Sequence, residues 1–168
     1  MNQVFLLLGS NIEPRIKYLE EAEKKISKYI GNIVRWSAIY ESEPLGFSAN
    51  TTFLNRVLLV YCKLSAIDIL YKILDIEQEM GRIRSSLGYS SRTIDIDILY
   101  FNNDIIKTEN ITIPHPRLHK RKFTLKPLSE IAPHFIHPVL NHNNKMLLDN
   151  CSDDSEVDIY KFQQTDEI

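Results

Sequence analysis

Two aspartates separated by a single residue are the most informative feature of this sequence. Asp95 and Asp97 lie within TIDIDILYF (residues 93–101), where polar and apolar residues alternate. Because successive side chains of a strand point to opposite faces, both carboxylates would share one face, with about 6–7 Å between their roots. Such a pair suits hard cations, which bind phosphates through one or two carboxylates and water. An ordinary antiparallel strand with a polar face would show the same alternation, so that interpretation also stays open.

Three arginines stand close before the aspartates in the chain. Arg82 and Arg84 precede the segment SSLGYSS (residues 85–91), and Arg92 follows it. The composition of this segment predicts a mobile loop. The guanidinium group is planar, permanently charged and matched to phosphate oxygens. Carboxylates that hold metal, with arginines nearby, are the components of a phosphoryl-transfer site. The alternative is a set of solvated surface arginines, which is easier to accept for one residue than for three.

Two further polar residues stand where apolar ones are expected. Glu77 continues the apolar stripe of Leu70 and Leu74 on a predicted helix. It could orient an arginine, or it could lie at the exposed edge of the stripe. Asn55 shares a predicted strand face with Phe53. Its amide offers donors and an acceptor that match the edge of a heterocycle, although a core asparagine with satisfied hydrogen bonds fits nearly as well.

Other candidate phosphate-binding features are weaker. His115 lies between two prolines, where a rigid loop could present it to a phosphate, but an ordinary loop histidine is equally consistent. The segment GSN (residues 9–11) is too short for a phosphate cradle, and we interpret it as a structural turn. The sequence contains neither G-x-x-x-x-G-K-[ST] nor D-F-G, which excludes the P-loop and protein-kinase mechanisms.

The elements that would position these residues follow from apolar periodicity and turn residues. Strands are predicted at residues 4–8, 33–42, 53–61 and 93–101, and amphipathic helices at residues 14–30 and 65–80. The order strand–helix–strand–strand–helix–strand is typical of a ferredoxin-like fold, an α+β domain with an antiparallel or mixed sheet flanked by helices. We expect one domain over residues 1–160 and a polar tail at residues 161–168. The last dozen residues as a whole are predicted to be loosely held.

Composition sets the class of protein. The chain has 168 residues and a net charge of -2, which is against a nucleic-acid-binding protein because those usually carry a basic surplus. The apolar run at the N-terminus lacks a basic region before it and is too short for a signal or a membrane span. We therefore expect a cytoplasmic protein without nucleic-acid or membrane partners.

Several motifs occur together in a recognisable order. They are GSN at residues 9–11, PLG at 44–46, FLN at 53–55, GRIR at 81–84, SRTIDIDIL at 91–99, IPHPR at 113–117 and FTLKPL at 123–128. Over roughly residues 1–160 they resemble the 6-hydroxymethyl-7,8-dihydropterin pyrophosphokinase family. The combination of R-T-x-D-x-D after G-R-x-R is specific, so coincidence is a poor explanation.

The resemblance implies the roles of individual residues. Asp95 and Asp97 match the ligands of two magnesium ions, and together with Arg82 and Arg92 they would be catalytic. Positions that match ATP-binding residues are Glu77, Arg82, Arg84, Arg92, Ile98, His115 and Arg121. The pterin would stack between Phe53 and Phe123, and the remaining pterin-binding positions are Ser42, Glu43, Pro44, Leu45, Gly46 and Asn55.

The resemblance also implies the reaction. The pterin hydroxyl would attack the β-phosphorus of ATP and expel AMP, in an enzyme of folate biosynthesis. We expect this chain to be a monomer. Two alternatives remain at this point. A palm-like nucleotidyltransferase also carries paired aspartates on a strand, and a ferredoxin-like domain can be a ligand-binding module without chemistry.

Overall fold

An antiparallel sheet with helices on both faces forms the body of the protein. The computed structural model describes residues 1–44, 51–81 and 93–162. Its strands are β1 (Asn2–Ser10), β2 (Asn32–Trp36), β3 (Tyr40–Ser42), β4 (Phe53–Cys62), β5 (Asp95–Phe101), β6 (Ile106–Lys107), β7 (Thr112–Ile113) and β8 (Val157–Ile159). Its helices are α1 (Arg15–Tyr29), α2 (Ala66–Glu79), α3 (Lys122–Ile131) and α4 (Asn144–Asp149), with a short 3₁₀ helix at Leu118–Lys120.

The strand order explains how distant segments meet. Within the described residues the main sheet has the order β5-β1-β4-β3-β8, β2 pairs with the other end of β4, and every pairing is antiparallel. The central strand β1 therefore lies between β4 and β5. This is the expected ferredoxin-like arrangement, and the predicted α+β class is confirmed.

The two faces of the sheet are buried by different helices. On one face, Leu6 and Leu8 of β1 pack with the apolar stripes of α1 and α2. On the other, Phe5 and Leu7 pack with α3 and α4. Alternate residues of one strand thus enter opposite cores, as the period of two requires. The helix α2 begins as predicted, with Ser65 Oγ accepting a hydrogen bond from the Asp68 amide (3.3 Å).

The single strand predicted at residues 33–42 is two strands in the structure. Ser37 separates β2 from β3 and is buried. Its hydroxyl accepts a hydrogen bond from the Val57 amide (3.0 Å) and donates one to the carbonyl of Ala38 (2.7 Å). A side chain here takes the place of a backbone acceptor in the ladder, so the regular pairing stops and resumes at Tyr40.

The prediction of a loosely held C-terminal dozen is wrong for its first residues. Val157 is 1% exposed, and β8 pairs with β3. The ammonium group of Lys126 donates to the Val157 carbonyl, which ties β8 to α3 as well. Residues 163–168 lie outside the described part of the chain.

A helix that crosses a membrane must be both long and apolar, and none of the helices within residues 1–44, 51–81 and 93–162 meets both requirements.

Candidate active site

The two aspartates share one face of β5, as the sequence predicted. Asp95 and Asp97 are half-buried and alternate with the buried residues Ile96 and Ile98. Those two isoleucines enter the core beneath α1 and α2, while Leu99, on the aspartate side, enters the core beneath α3. The carboxylates therefore face the side of the sheet that carries α3.

Asp95 belongs to a row of three residues that crosses the sheet. In register, Gly9 of β1 faces Asn55 of β4 on one side and Asp95 of β5 on the other. A Cβ atom on Gly9 would lie 3.3 Å from Asn55 Oδ1 and 3.7 Å from Phe53 Cδ1. Because Gly9 has no side chain, no group of β1 projects between the Asn55 amide and the Asp95 carboxylate, and we call this position the Gly9 floor. Our interpretation of residues 9–11 as a structural turn was wrong, since Gly9 and Ser10 belong to β1.

Asn55 combines features of both interpretations offered for it. Its side chain is almost fully buried, at 3% exposure, and its Nδ2 donates to Ser42 Oγ (2.8 Å). The hydrogen bond fixes the amide, and the Oδ1 atom then lies over Gly9. The carbonyl oxygen is thereby directed towards the Gly9 floor, and an amide oxygen of this kind can accept a hydrogen bond from a ligand.

Aromatic and basic groups approach from the start of α3. Phe123 packs partly into the core under α3, and the Arg121 guanidinium carbon lies 5.5 Å from the centre of its ring. The contact is of the cation–π type and orients the arginine. Because α3 packs over β3 and β4, Phe123 and Phe53 belong to the same side of the sheet.

His115 is held as a neutral ring. Its Nδ1 accepts the Arg117 amide (3.2 Å), which leaves the ring proton on Nε2. Burial, together with the positive charge of Arg121, lowers the pKa of His115 to about 4, although the charge of Asp95 acts in the opposite direction. At neutral pH this side chain therefore offers an N–H donor without a charge.

Glu77 is buried, which excludes the alternative that it lies at the exposed edge of its stripe. It is 3% exposed, and its Oε2 accepts the backbone N–H of Ile96 (3.0 Å). Ile96 stands between the two aspartates, so this carboxylate from α2 anchors the aspartate strand. The possibility that Glu77 also orients an arginine concerns Arg82, Arg84 and Arg92, which lie outside the described residues.

The remaining predicted site residues are placed as follows. Ser42 is buried in β3, Glu43 is exposed and Pro44 is half-buried just beyond it. Ile98 is buried on the α2 side, away from the aspartate face. Leu45, Gly46 and the SSLGYSS segment lie outside the described residues.

The donor set fits magnesium. Among the described residues, no group of three or more His, Cys, Asp and Glu side chains could hold a metal. Two half-exposed carboxylates are nevertheless what Mg²⁺ uses, since it keeps several waters and completes its shell with substrate phosphates.

Comparison with known proteins identifies the family. The profile of 7,8-dihydro-6-hydroxymethylpterin-pyrophosphokinase matches residues 5–133. The chain belongs to this family. A pyrophosphokinase of Aquifex aeolicus is 40% identical over 139 residues, which cover 83% of this chain and 86% of the relative. One from Bacillus subtilis is 37% identical over 132 residues, 78% of each chain.

Other relatives and structural neighbours are much longer than this chain. A folic acid synthesis protein of Dictyostelium discoideum is 40% identical over 148 residues, which cover 88% of this chain but 22% of that protein. The solved Plasmodium falciparum HPPK-DHPS with pteroate has a TM-score of 0.74 at 19% identity, covering 88% of this chain and 44% of that one. At this identity the structural likeness shows the fold alone.

Family membership confirms three predictions made from the sequence. The chain is an enzyme, it is a pyrophosphokinase, and it acts in folate biosynthesis. Neither the nucleotidyltransferase nor the non-catalytic module is supported.

Proposed function

We propose that the pyrophosphokinase reaction takes place on the Asp95–Asp97 face of β5, between ATP and 6-hydroxymethyl-7,8-dihydropterin. One observation carries this proposal. Gly9, which has no side chain, lies in register between Asn55 on one neighbouring strand and Asp95 on the other. An amide that can hydrogen-bond to a heterocycle and a carboxylate that can bind a metal of phosphate chemistry therefore lie on either side of Gly9.

The pterin ring would lie over Gly9, between Phe53 and Phe123. Aromatic faces stack on a flat heterocycle, and the fixed Oδ1 of Asn55 can accept a ring N–H. Ser42 supports this amide directly. Glu43, Pro44, Leu45 and Gly46 belong to the same proposed pocket through the resemblance described above.

Asp95 and Asp97 would hold two Mg²⁺ ions. When bound, these ions would neutralise charge on the ATP phosphates near the attacking hydroxyl. The protein's own contribution is to keep the two carboxylates on one face, and the bond from Glu77 to the Ile96 amide holds the strand that carries them.

The triphosphate would bind where His115 and Arg121 meet the aspartate face. Neutral His115 donates from Nε2, and Arg121 supplies a permanent charge. Arg82, Arg84, Arg92, Glu77 and Ile98 complete the proposed nucleotide site. The pterin hydroxyl oxygen gives up its proton to solvent and forms a bond to the β-phosphorus, as the bond from that phosphorus to the α,β-bridging oxygen breaks and AMP leaves with this oxygen. Positioning and electrostatic stabilisation supply the catalysis.

A product assay with ATP, Mg²⁺ and the pterin tests this site. The wild type is expected to form AMP and pterin pyrophosphate, and Asp97→Asn should reduce the rate by at least about 100-fold, as loss of a transition-state electrostatic group does. Asp104→Asn, at an exposed position shortly after β5, is the matched control and should keep full activity. Full activity in Asp97→Asn would contradict the assignment, and ADP or pyrophosphate as product would contradict the reaction.

The same proposal has the chain acting as a monomer in the cytoplasm. Sedimentation at micromolar concentration and fractionation of cells that express the chain test these two points. A dimer or a membrane-bound pool would contradict them.

A further inference from the structure

A buried arginine lies at the base of the segment that joins β3 to β4. Arg15 is the first residue of α1 and is 8% exposed, although its side chain carries a permanent charge. It belongs to none of the motifs that pointed to the active site. A buried charge requires partners, so the groups around it indicate what it holds together.

The Arg15 guanidinium binds both ends of this segment. Its Nη1 donates to the carbonyl oxygen of Thr52 (3.1 Å) and to Thr52 Oγ1 (2.9 Å), and it lies 3.6 Å from Glu41 Oε2. Thr52 Oγ1 in turn donates to Glu41 Oε2 (2.8 Å). The Nε of Arg15 donates to Glu13 Oε1 (2.6 Å), which fixes the guanidinium at the start of α1.

The held positions are next to proposed pterin-binding residues. Glu41 directly precedes Ser42, and Thr52 directly precedes Phe53. Ser42 and Phe53 face each other in register, and Ser42 accepts the hydrogen bond from Asn55. A shift of Thr52 or Glu41 would therefore move an aromatic face and the amide that reads the ring.

The contacts of Arg15 with Glu13, Glu41 and Thr52 form what we call the Arg15 clamp. Neighbouring contacts reinforce it. Thr51 Oγ1 donates to the carbonyl of Asn11, which lies just before α1. The ring of Tyr160 covers the guanidinium at 5.6 Å, and the Tyr160 amide donates to the Ile39 carbonyl (2.8 Å). The segment after β8 thus covers the guanidinium, while the carboxylates of Glu13 and Glu41 stay accessible to water.

We propose that Arg15 is a positioning residue for the pterin, and this inference rests on the function proposed above. The guanidinium holds Glu41 and Thr52 so that Ser42, Phe53 and Asn55 are ordered before the pterin binds. Preorganisation of this kind contributes to affinity because less conformational freedom is lost on binding.

Replacement of Arg15 should leave a folded protein. The side chains of its two acidic partners are 60% exposed for Glu13 and 41% exposed for Glu41, so water can solvate both carboxylates when the arginine is removed. Arg15→Met keeps the apolar part of the side chain, and Arg15→Lys keeps the charge but not the planar fork. Circular dichroism checks that each variant is folded.

Steady-state kinetics is the first arm of the test. Arg15→Met should raise KM for the pterin about tenfold and leave KM for ATP within twofold, with Arg15→Lys in between. Arg56→Met is the matched control, because Arg56 also bonds a carboxylate of α1 (Glu23, 3.0 Å) and a backbone carbonyl (Ser37, 2.8 Å). It should leave both KM values unchanged. Equal rises in both KM values for Arg15→Met, or none, would overturn the proposal.

Hydrogen exchange is the second arm, and it does not depend on activity. The amides of residues 52–55 should exchange about tenfold faster in Arg15→Met than in the wild type. In Arg56→Met they should exchange at the wild-type rate. Unchanged exchange would overturn the clamp itself. A wild type that forms no AMP, with exchange still accelerated by the substitution, would contradict the proposed function and leave the clamp standing.

Discussion

Glu77 Oε2 lies 3.0 Å from the backbone nitrogen of Ile96, the residue between Asp95 and Asp97. Within the described residues, β5 pairs only with β1 in the main sheet, so its other edge needs acceptors from elsewhere. A carboxylate from α2 supplies one at the point where the two proposed metal ligands must be held. This bond links the helix to the spacing and orientation of the aspartate pair.

Removal of the Glu77 acceptor should weaken the metal site. Glu77→Leu leaves a buried N–H without its partner, at a cost of about 1–3 kcal/mol, and frees the strand to shift. We expect kcat/KM to fall at least tenfold and the Mg²⁺ concentration for half-maximal rate to rise. Glu77→Gln keeps a carbonyl acceptor and should retain more of the activity.

Exposed Glu79 on the same helix provides the control for this substitution. Glu79→Gln removes an ion pair with Lys25 of α1 (2.9 Å) instead of a bond to β5, and should not change the Mg²⁺ dependence. If Glu77→Leu were as active as Glu77→Gln, and both kept the Mg²⁺ dependence of the wild type, Glu77 would not position the aspartate strand.

Gly9 should be intolerant of even one added carbon. In Gly9→Ala the new Cβ would lie 3.3 Å from Asn55 Oδ1 and would occupy the floor beneath the proposed pterin. We expect KM for the pterin to rise at least tenfold, since a ring cannot approach as closely, while KM for ATP changes little. Steady-state kinetics with each substrate varied in turn measures this.

Ser10→Ala is the matched control for the Gly9 substitution. Ser10 is fully buried, and its Oγ has no hydrogen-bond partner among the described residues. Loss of that hydroxyl should leave both KM values as they are and should not destabilise the fold. If Gly9→Ala had the same KM for the pterin as Ser10→Ala, the proposal that the pterin lies over Gly9 would be wrong.

Stability should fall in mild acid because of His137. Its Nδ1 accepts the amides of Val139 (3.2 Å) and Leu140 (3.0 Å), and it is 5% exposed. Burial, with a smaller effect of His119, lowers the pKa of His137 to about 4 from its ordinary 6.5. Between these two values the unfolded chain takes up a proton that the native ring does not, so the free energy of unfolding decreases as pH falls.

The expected loss between pH 7 and pH 5 is about 1–2 kcal/mol for this residue, since one pKa unit corresponds to about 1.4 kcal/mol. His115 contributes in the same direction. Urea unfolding at several pH values gives the slope of the free energy of unfolding against pH. This slope should be shallower in His137→Asn. His134→Asn, at an exposed position in the same loop, should keep the wild-type slope. An unchanged slope in His137→Asn would disprove the assignment.

The sequence by itself determined what depends on local periodicity. The placement of Asp95 and Asp97 on one face follows from the strand period of two, and it holds in the structure. The apolar stripes of α1 and α2 and the Ser65 cap follow in the same way from residues three or four apart. The order of these elements was enough to predict the ferredoxin-like fold.

Only the tertiary structure decided what depends on register between distant segments. Gly9 faces Asn55 and Asp95 because β1 pairs with β4 and β5 at one particular register, and no local pattern fixes that choice. Arg15 meets Thr52, 37 positions away, and Glu77 meets Ile96, 19 positions away, through the packing of helices on the sheet. β8 forms from a polar, acidic stretch because β3 and Lys126 offer its backbone partners there. Backbone groups satisfied by distant partners leave no periodic signal in the residues that carry them.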